Sequence, residues 1–174
     1  RFVEQQDMAT SVGGVRGLGV IERVPRSELP AFVKRQRSND QPDFGVHQLT
    51  ASEAADLYII TRVEPLHRNR RALGLDMGSE ARRRATVEQA ALSGQATLSP
   101  PITLVQDGGH KPGFLAVQPV YRPGLPLNTP AQREAALARW VYAPIVVDEL
   151  LQRAPVLADP RIGVELFYEI GRAH

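Results

Sequence analysis

Residues 57–63, Leu57-Tyr58-Ile59-Ile60-Thr61-Arg62-Val63, constrain this 174-residue chain more than any other segment. Seven residues rich in β-branched and aromatic side chains predict a buried strand. Around it, strand and helix patterns interleave. Residues 17–24 read as a strand. Pro25-Arg26-Ser27 then starts a helix to about residue 36, with Leu29, Phe32 and Val33 on one face. Residues 38–42 are a polar turn, and Phe44, Val46 and Leu49 suggest a short strand over 44–49. The segment 69–77 is ambiguous, because Gly74 and Gly78 interrupt any long helix. Ser79 is the expected N-cap of a helix through Ser93, with Gly94 as its stop. Short strands follow at 96–98 and 102–105. The turn Asp107-Gly108-Gly109 joins 102–105 to 114–121 as a hairpin. Residues 122–128 form a loop broken by Pro123, Gly124 and Pro126. Thr129-Pro130 opens a helix to about residue 139. A strand over 140–145, a short helix over 146–152 and a last strand over 164–170 complete the pattern, and residues 2–10 read as the end of a helix closed by Gly13-Gly14. The fold class is therefore α/β in the α+β sense, an antiparallel sheet with covering helices.

Composition narrows function by exclusion. Hydrophobic residues make up 43% of the chain, enough for one substantial core or two small ones. A formal net charge of +2 demands no polyanionic partner, so no nucleic acid is expected. With no cysteine, disulfides, thiolate nucleophiles and Cys-based zinc sites are excluded. No run of about 20 apolar residues is present and no signal peptide is visible. The chain starts at Arg1 without an initiator Met and reads as a piece of a longer protein, with membrane segments expected outside it.

The side chains that carry chemistry do not assemble by spacing. His47, His67, His110 and His174 form no metal-ligand pair; His110 is expected in an exposed turn and His174 at a terminal remnant. Gly14-Val15-Arg16-Gly17-Leu18-Gly19 precedes a strand instead of following one, so it is not a nucleotide loop. Its glycines are expected to allow close backbone approach where the chain enters the sheet. Ser99 lacks a nucleophile-elbow context, and no spacing rule pairs Glu64 with Asp76. No enzyme activity, metal or cofactor is expected. Two Arg-rich spots stand out, Arg68-Asn69-Arg70-Arg71 and Arg82-Arg83-Arg84. On a helix, Ala81, Ala85, Val87, Ala91 and Leu92 form an apolar arc that contains Arg84, with Arg83 at its margin and Arg82 pointing away. Pattern alone reads these as an Arg84–Glu88 pair plus two solvated arginines. The alternative is a guanidinium that faces a pocket and recognises a carboxylate or similar acceptor.

Several ordered segments resemble the CHASE family. They are Gly14-Val15-Arg16-Gly17-Leu18-Gly19, Ile21-Glu22-Arg23-Val24-Pro25, Pro42-Asp43-Phe44 and Tyr58-Ile59-Ile60-Thr61-Arg62-Val63-Glu64-Pro65. Asn69, Ala72-Leu73-Gly74-Leu75-Asp76 and Ser79 follow, then Thr97-Leu98-Ser99-Pro100-Pro101-Ile102-Thr103-Leu104-Val105-Gln106, Gly113-Phe114-Leu115, Pro119-Val120-Tyr121 and Trp140-Val141-Tyr142-Ala143-Pro144. The resemblance covers roughly residues 11–171. It implies a periplasmic or extracellular ligand sensor, flanked by transmembrane helices, on a histidine kinase, a diguanylate cyclase or phosphodiesterase, or a nucleotide cyclase. It also implies a long N-terminal helix followed by two PAS-like modules. Residues 1–13 would be the end of that helix, 14–125 the membrane-distal ligand-binding module, and 126–174 a truncated membrane-proximal part. The full receptor is expected to be a homodimer anchored through the flanking helices.

The resemblance places the ligand site at Asp76, Arg83, Arg84, Thr103, Leu104, Val105, Val117, Pro119 and Tyr121. Cytokinin receptors of this family carry an acidic side chain where this chain has Arg83. That reversal implies an anionic or acceptor-rich small molecule, and it gives Arg83 and Arg84 a pocket or pocket-support role. The alternative is a dimerisation or protein-interaction module that binds no ligand.

Overall fold

The structure, a computed structural model, describes residues 14–105 and 112–152. The helix end expected at 2–10, the turn at 107–109, His110, the strand at 164–170 and His174 lie outside the described residues. The chain enters through β1 (Leu18–Pro25), a 3-10 turn (Arg26–Glu28) and α1 (Leu29–Ser38). Next come β2 (His47–Gln48), β3 (Asp56–Glu64), α2 (Leu66–Asn69), a 3-10 turn (Arg70–Ala72) and β4 (Leu75–Asp76). A third 3-10 turn (Met77–Ser79) leads into α3 (Ala81–Ser93), followed by β5 (Thr97–Leu98), β6 (Ile102–Thr103) and β7 (Pro112–Tyr121). The described chain closes with α4 (Pro130–Ala136), β8 (Leu137–Val146) and α5 (Val147–Gln152).

All eight strands join one open sheet in the order β2-β4-β3-β1-β8-β7-β5, with β6 also on β7. The pairings are antiparallel except β2 with β4. The boundary expected between residues 125 and 126 falls in an exposed stretch, and β8, which lies beyond it, is hydrogen-bonded between β1 and β7.

The run at 57–63 is β3, and its alternation divides the core. Leu57 and Ile59 pack with Val24, Phe32 and Phe44 beneath α1. Tyr58 and Ile60 face the larger cluster, with Val87, Ala90 and Ala91 of α3 and Trp140 and Tyr142 of β8. Strict alternation would then turn Val63 away from α3. The register instead slips between Val20 and Ile21, leaving Thr61 unopposed, and Val63 returns to the larger cluster. The Thr61 hydroxyl donates to Glu22 and its carbonyl accepts from Gln41 Nε2, so the bulge leaves neither group unpaired.

The glycines of the entry segment fit close approach. A Cβ at Gly17 would stand 2.4 Å from the Glu64 carbonyl oxygen, and one at Gly19 would meet the Tyr142 ring at 2.3 Å.

Several expectations need correction. The N-cap of α3 is Glu80, not Ser79: its carboxylate accepts from the amides of Arg82 and Arg83. Ser79 sits in the preceding turn, where its hydroxyl donates to the Asp76 carbonyl and accepts from the Leu49 amide. Gly94 does end α3, in a left-handed conformation at φ 76°. The buried face of α3 is Arg83, Thr86, Val87, Ala90 and Ala91, while Ala81, Ala85 and Leu92 are exposed. The apolar arc is thus rotated by roughly one residue, because α3 turns Arg83 inward to reach β6. Residues 44–49 yield only the two-residue β2, whose partner β4 is equally short. Helix α4 stops at Ala136, not near 139, because Leu137 already pairs with Tyr121.

Candidate functional site

The seam between the N-terminal half of α3 and the sheet holds a small cavity of about 10 Å³, room for about one water molecule. Its lining comes from β3 (Ile60), the stretch before α3 (Ala72, Leu75, Met77), α3 itself (Arg83), the segment after β6 (Leu104, Val105), β7 (Leu115) and β8 (Tyr142). All but Arg83 and Tyr142 are apolar.

Arg83 is 6% exposed, an uncommon burial for a guanidinium. Its Nη1 donates to Glu80 at 3.0 Å and its Nη2 to the Thr103 carbonyl at 2.7 Å. The side chain therefore ties the start of α3 to β6. Burial pushes the guanidinium below its ordinary pKa, and the Glu80 carboxylate opposes that shift. Glu80 feels desolvation in the opposite sense, but the amides of Arg82 and Arg83 and the Arg83 charge outweigh it and hold Glu80 below the usual carboxylate value.

Tyr142 is 2% exposed, and its hydroxyl has no hydrogen-bond partner among the described residues. Burial pushes its pKa well up. A buried, unpaired hydroxyl costs about 1–3 kcal/mol, and Tyr142 lines the same cavity as Arg83, the one buried arginine among the described residues.

The other residues expected at the site have different positions. Arg84 donates to the Gly78 and Asp56 carbonyls, each at 2.8 Å, and to Glu88 at 3.0 Å, with its guanidinium 4.6 Å from the centre of the Tyr58 ring. That is a clamp between α3 and β3, outside the cavity lining. Gly78 permits it, since a Cβ there would stand 2.5 Å from Arg84 Nη2. Asp76, 1% exposed, accepts from the amides of Tyr58 and Gly78 and from Gln48 Nε2. It braces the turn whose neighbours Leu75 and Met77 line the cavity. Thr103 offers its carbonyl while its side chain is exposed. Leu104 and Val105 line the cavity directly. Val117, Pro119 and Tyr121 lie further along β7, and Tyr121 donates to the Ala91 carbonyl at 2.6 Å.

Sequence reasoning missed Tyr142. The signal was present in Trp140-Val141-Tyr142, where period-2 alternation puts both rings on one face of a strand. Both indeed face α3, and Trp140 meets Tyr58 edge-on with ring centres 5.2 Å apart. Ser99 also finds a structural task, its hydroxyl accepting from the Leu115 amide. Among the described residues no group of three or more His, Asp or Glu side chains is placed to hold a metal ion.

A second concavity, about 160 Å³, opens on the other face of the sheet, lined by Leu18, Ala116, Val141 and Ala143 among others. Leu18 is 43% exposed there.

One mostly antiparallel sheet, with a helix clamped over it by buried and half-buried arginines, defines an α/β domain. The chain belongs to the CHASE family: the family model described as CHASE domain matches residues 1–173, essentially the whole chain. CHASE domains are extracytoplasmic sensory domains of receptors, and their role is not catalytic. No curated protein matches the chain. Among the described residues no helix is long and apolar enough to cross a membrane.

Proposed function

We propose that this domain is a periplasmic or extracellular small-molecule sensor that reads an anionic ligand at Arg83. It would pass the signal to a cytoplasmic histidine kinase or a diguanylate cyclase or phosphodiesterase in a homodimeric, membrane-anchored receptor. The observation that carries this reading is the buried Arg83 lining a cavity between helix and sheet whose other lining residues, Tyr142 apart, are apolar. A buried cation beside an apolar wall suits a ligand with one charged and one apolar end. The cavity holds about 10 Å³, so the described conformation is the closed one and binding requires α3 or the β6 strand to yield. Affinity is then reduced by the fraction of open molecules, and signalling follows only if the ligand prefers one state.

In the same reading the sheet is the PAS-like, membrane-distal module. Residues 14–125 supply most of it and β8 completes it, the rest of 126–174 belongs to the membrane-proximal part, and residues 1–13 are the end of the long helix. The test is thermal unfolding of wild type and Arg83→Ala against a panel of acidic metabolites. At least one should raise the wild-type midpoint and leave Arg83→Ala unmoved. If none moves the wild type, the anion reading fails.

A second reading, a dimerisation or protein-interaction module without a ligand, is favoured by one observation. The groove on the opposite sheet face is larger and apolar, with Leu18 exposed beside it. Substituting Val141→Asp would then alter the receptor's oligomeric state in sedimentation while leaving any metabolite response intact.

A further inference from the structure

The cavity has two polar groups, and they are of unequal status. Arg83 donates one hydrogen bond from Nη1 and one from Nη2, while the Tyr142 hydroxyl has no partner among the described residues. The partner that holds Arg83 Nη1 is itself a carboxylate, Glu80 Oε2, at 3.0 Å. Glu80 is not fully committed to the guanidinium, because its two oxygens also accept from the Arg82 and Arg83 amides at 3.1 and 3.2 Å. It could release the guanidinium and still cap α3. The arrangement is an anion site already filled from within, beside an unused donor.

We infer that the site takes a small monocarboxylate with a short apolar body, which replaces Glu80 at the Arg83 guanidinium and accepts a hydrogen bond from the Tyr142 hydroxyl. This rests on the reading of Arg83 as the anion sensor and deepens it by ligand class and by competitor. The single charge follows from the inventory. Arg83 and Tyr142 are the two polar side chains of a lining otherwise made of residues such as Ile60, Leu75, Met77 and Leu115, so a second carboxylate on the ligand would be buried unpaired. The short body follows from the closed cavity, which must grow from room for about one water. The guanidinium is also the plug: it holds Thr103 of β6 in the same grip, so an anion that draws it from Glu80 loosens or re-aims the tie between α3 and β6. Ligand binding and a shift of the helix start against the sheet are then one event.

The experiment is calorimetric titration of propionate, butyrate and succinate into wild type, Glu80→Gln, Tyr142→Phe and Arg83→Ala. Glu80→Gln keeps an amide oxygen for the helix amides but removes the competing charge, and should bind the monocarboxylates about five- to tenfold more tightly. Tyr142→Phe removes a hydroxyl that is unpaired in the closed protein, so it folds, and should bind about tenfold more weakly. Arg83→Ala should not bind, and succinate should bind no better than propionate. If Glu80→Gln and Tyr142→Phe bind as wild type while Arg83→Ala does not, the competitor and the hydroxyl contact proposed here are wrong and the anion reading survives. If no protein, Glu80→Gln included, binds a monocarboxylate but a larger acidic metabolite binds wild type, the ligand class alone is overturned. If no anion binds at all, both fall.

Discussion

Arg84 has spent every strong interaction available to it inside the protein. Its guanidinium donates to two carbonyls, on Gly78 and Asp56, pairs with Glu88, and covers the face of Tyr58. Tyr58 in turn donates to Glu88 at 2.9 Å, and its pKa is pushed up to about 12 by burial and by Glu88, against the pull of Arg23 and Arg84. Removing the guanidinium would strip donors from two carbonyls and leave Glu88 with Tyr58 alone. Arg84→Ala should therefore destabilise the fold by on the order of 2 kcal/mol. Arg82, whose exposed side chain donates to the Pro101 carbonyl, should cost no more than about 0.5 kcal/mol when truncated. Urea unfolding measures both. Because Arg84 lies outside the cavity lining, the anion-induced rise in the unfolding midpoint should persist in Arg84→Ala after its lower baseline is allowed for. A loss of that response with stability intact would instead put Arg84 in direct contact with the ligand.

Helix α3 owes its start to a carboxylate, and that makes its stability depend on pH. Glu80 sits below the ordinary value of 4.5 because the amides of Arg82 and Arg83 and the Arg83 guanidinium overcome its desolvation. A carboxyl depressed in the folded state binds protons more readily when unfolded. Its contribution is complete above the unfolded value and is lost as pH falls through the lower folded one. The difference in unfolding midpoint between wild type and Glu80→Gln should therefore be constant from about pH 7 down to about pH 5 and shrink on the way to about pH 3. A difference that stays constant over that whole range would show that Glu80 does not cap α3 as a carboxylate. The same helix shows what the sequence could and could not reveal. Its stop at Gly94 was readable from local rules, because a left-handed residue at the end needs only glycine. Its start was not, since local rules favour Ser79 over Glu80 as an N-cap, and a tertiary contact with the Leu49 amide holds Ser79 in the preceding turn. The rotation of its buried face was hidden for a related reason. A burial pattern computed from apolar residues cannot include an arginine whose charge is matched by Glu80 and a distant carbonyl. Strand β3 was legible because its β-branched run admits one structure, and short strands were expected where β2, β5 and β6 lie, whereas β4, two residues that exist only by pairing, fell in the segment 69–77 that local pattern leaves ambiguous.

At the scale of the molecule, β8 holds the sheet together. It lies between β1 and β7, pairs with residues 19–21 of the first and 113–121 of the second, and brings Trp140, Tyr142 and Val146 into the larger core at 0–2% exposure. Without it β1 keeps only β3, and β7 keeps only the two-residue strands β5 and β6. Both halves would then expose long, unpaired edges and the apolar faces that β8 fills. The chain also enters and leaves at one end of this strand: the Val146 amide donates to the Gly14 carbonyl, Val15 bridges to Ile145, and Arg16 donates to Glu149 of α5. A signal moving from α3 through Tyr142 would thus arrive where the chain enters and leaves the sheet. A chain ended after residue 125 should lose the cooperative thermal unfolding of the longer, 174-residue protein and bind hydrophobic dye. Near-ultraviolet circular dichroism, read at Trp140 in the longer protein, reports its packing against Tyr58 and Arg23. A cooperative transition in the chain ended after residue 125 would mean that the first 125 residues are a complete module, and that β8 is an addition to the sheet and not its keystone.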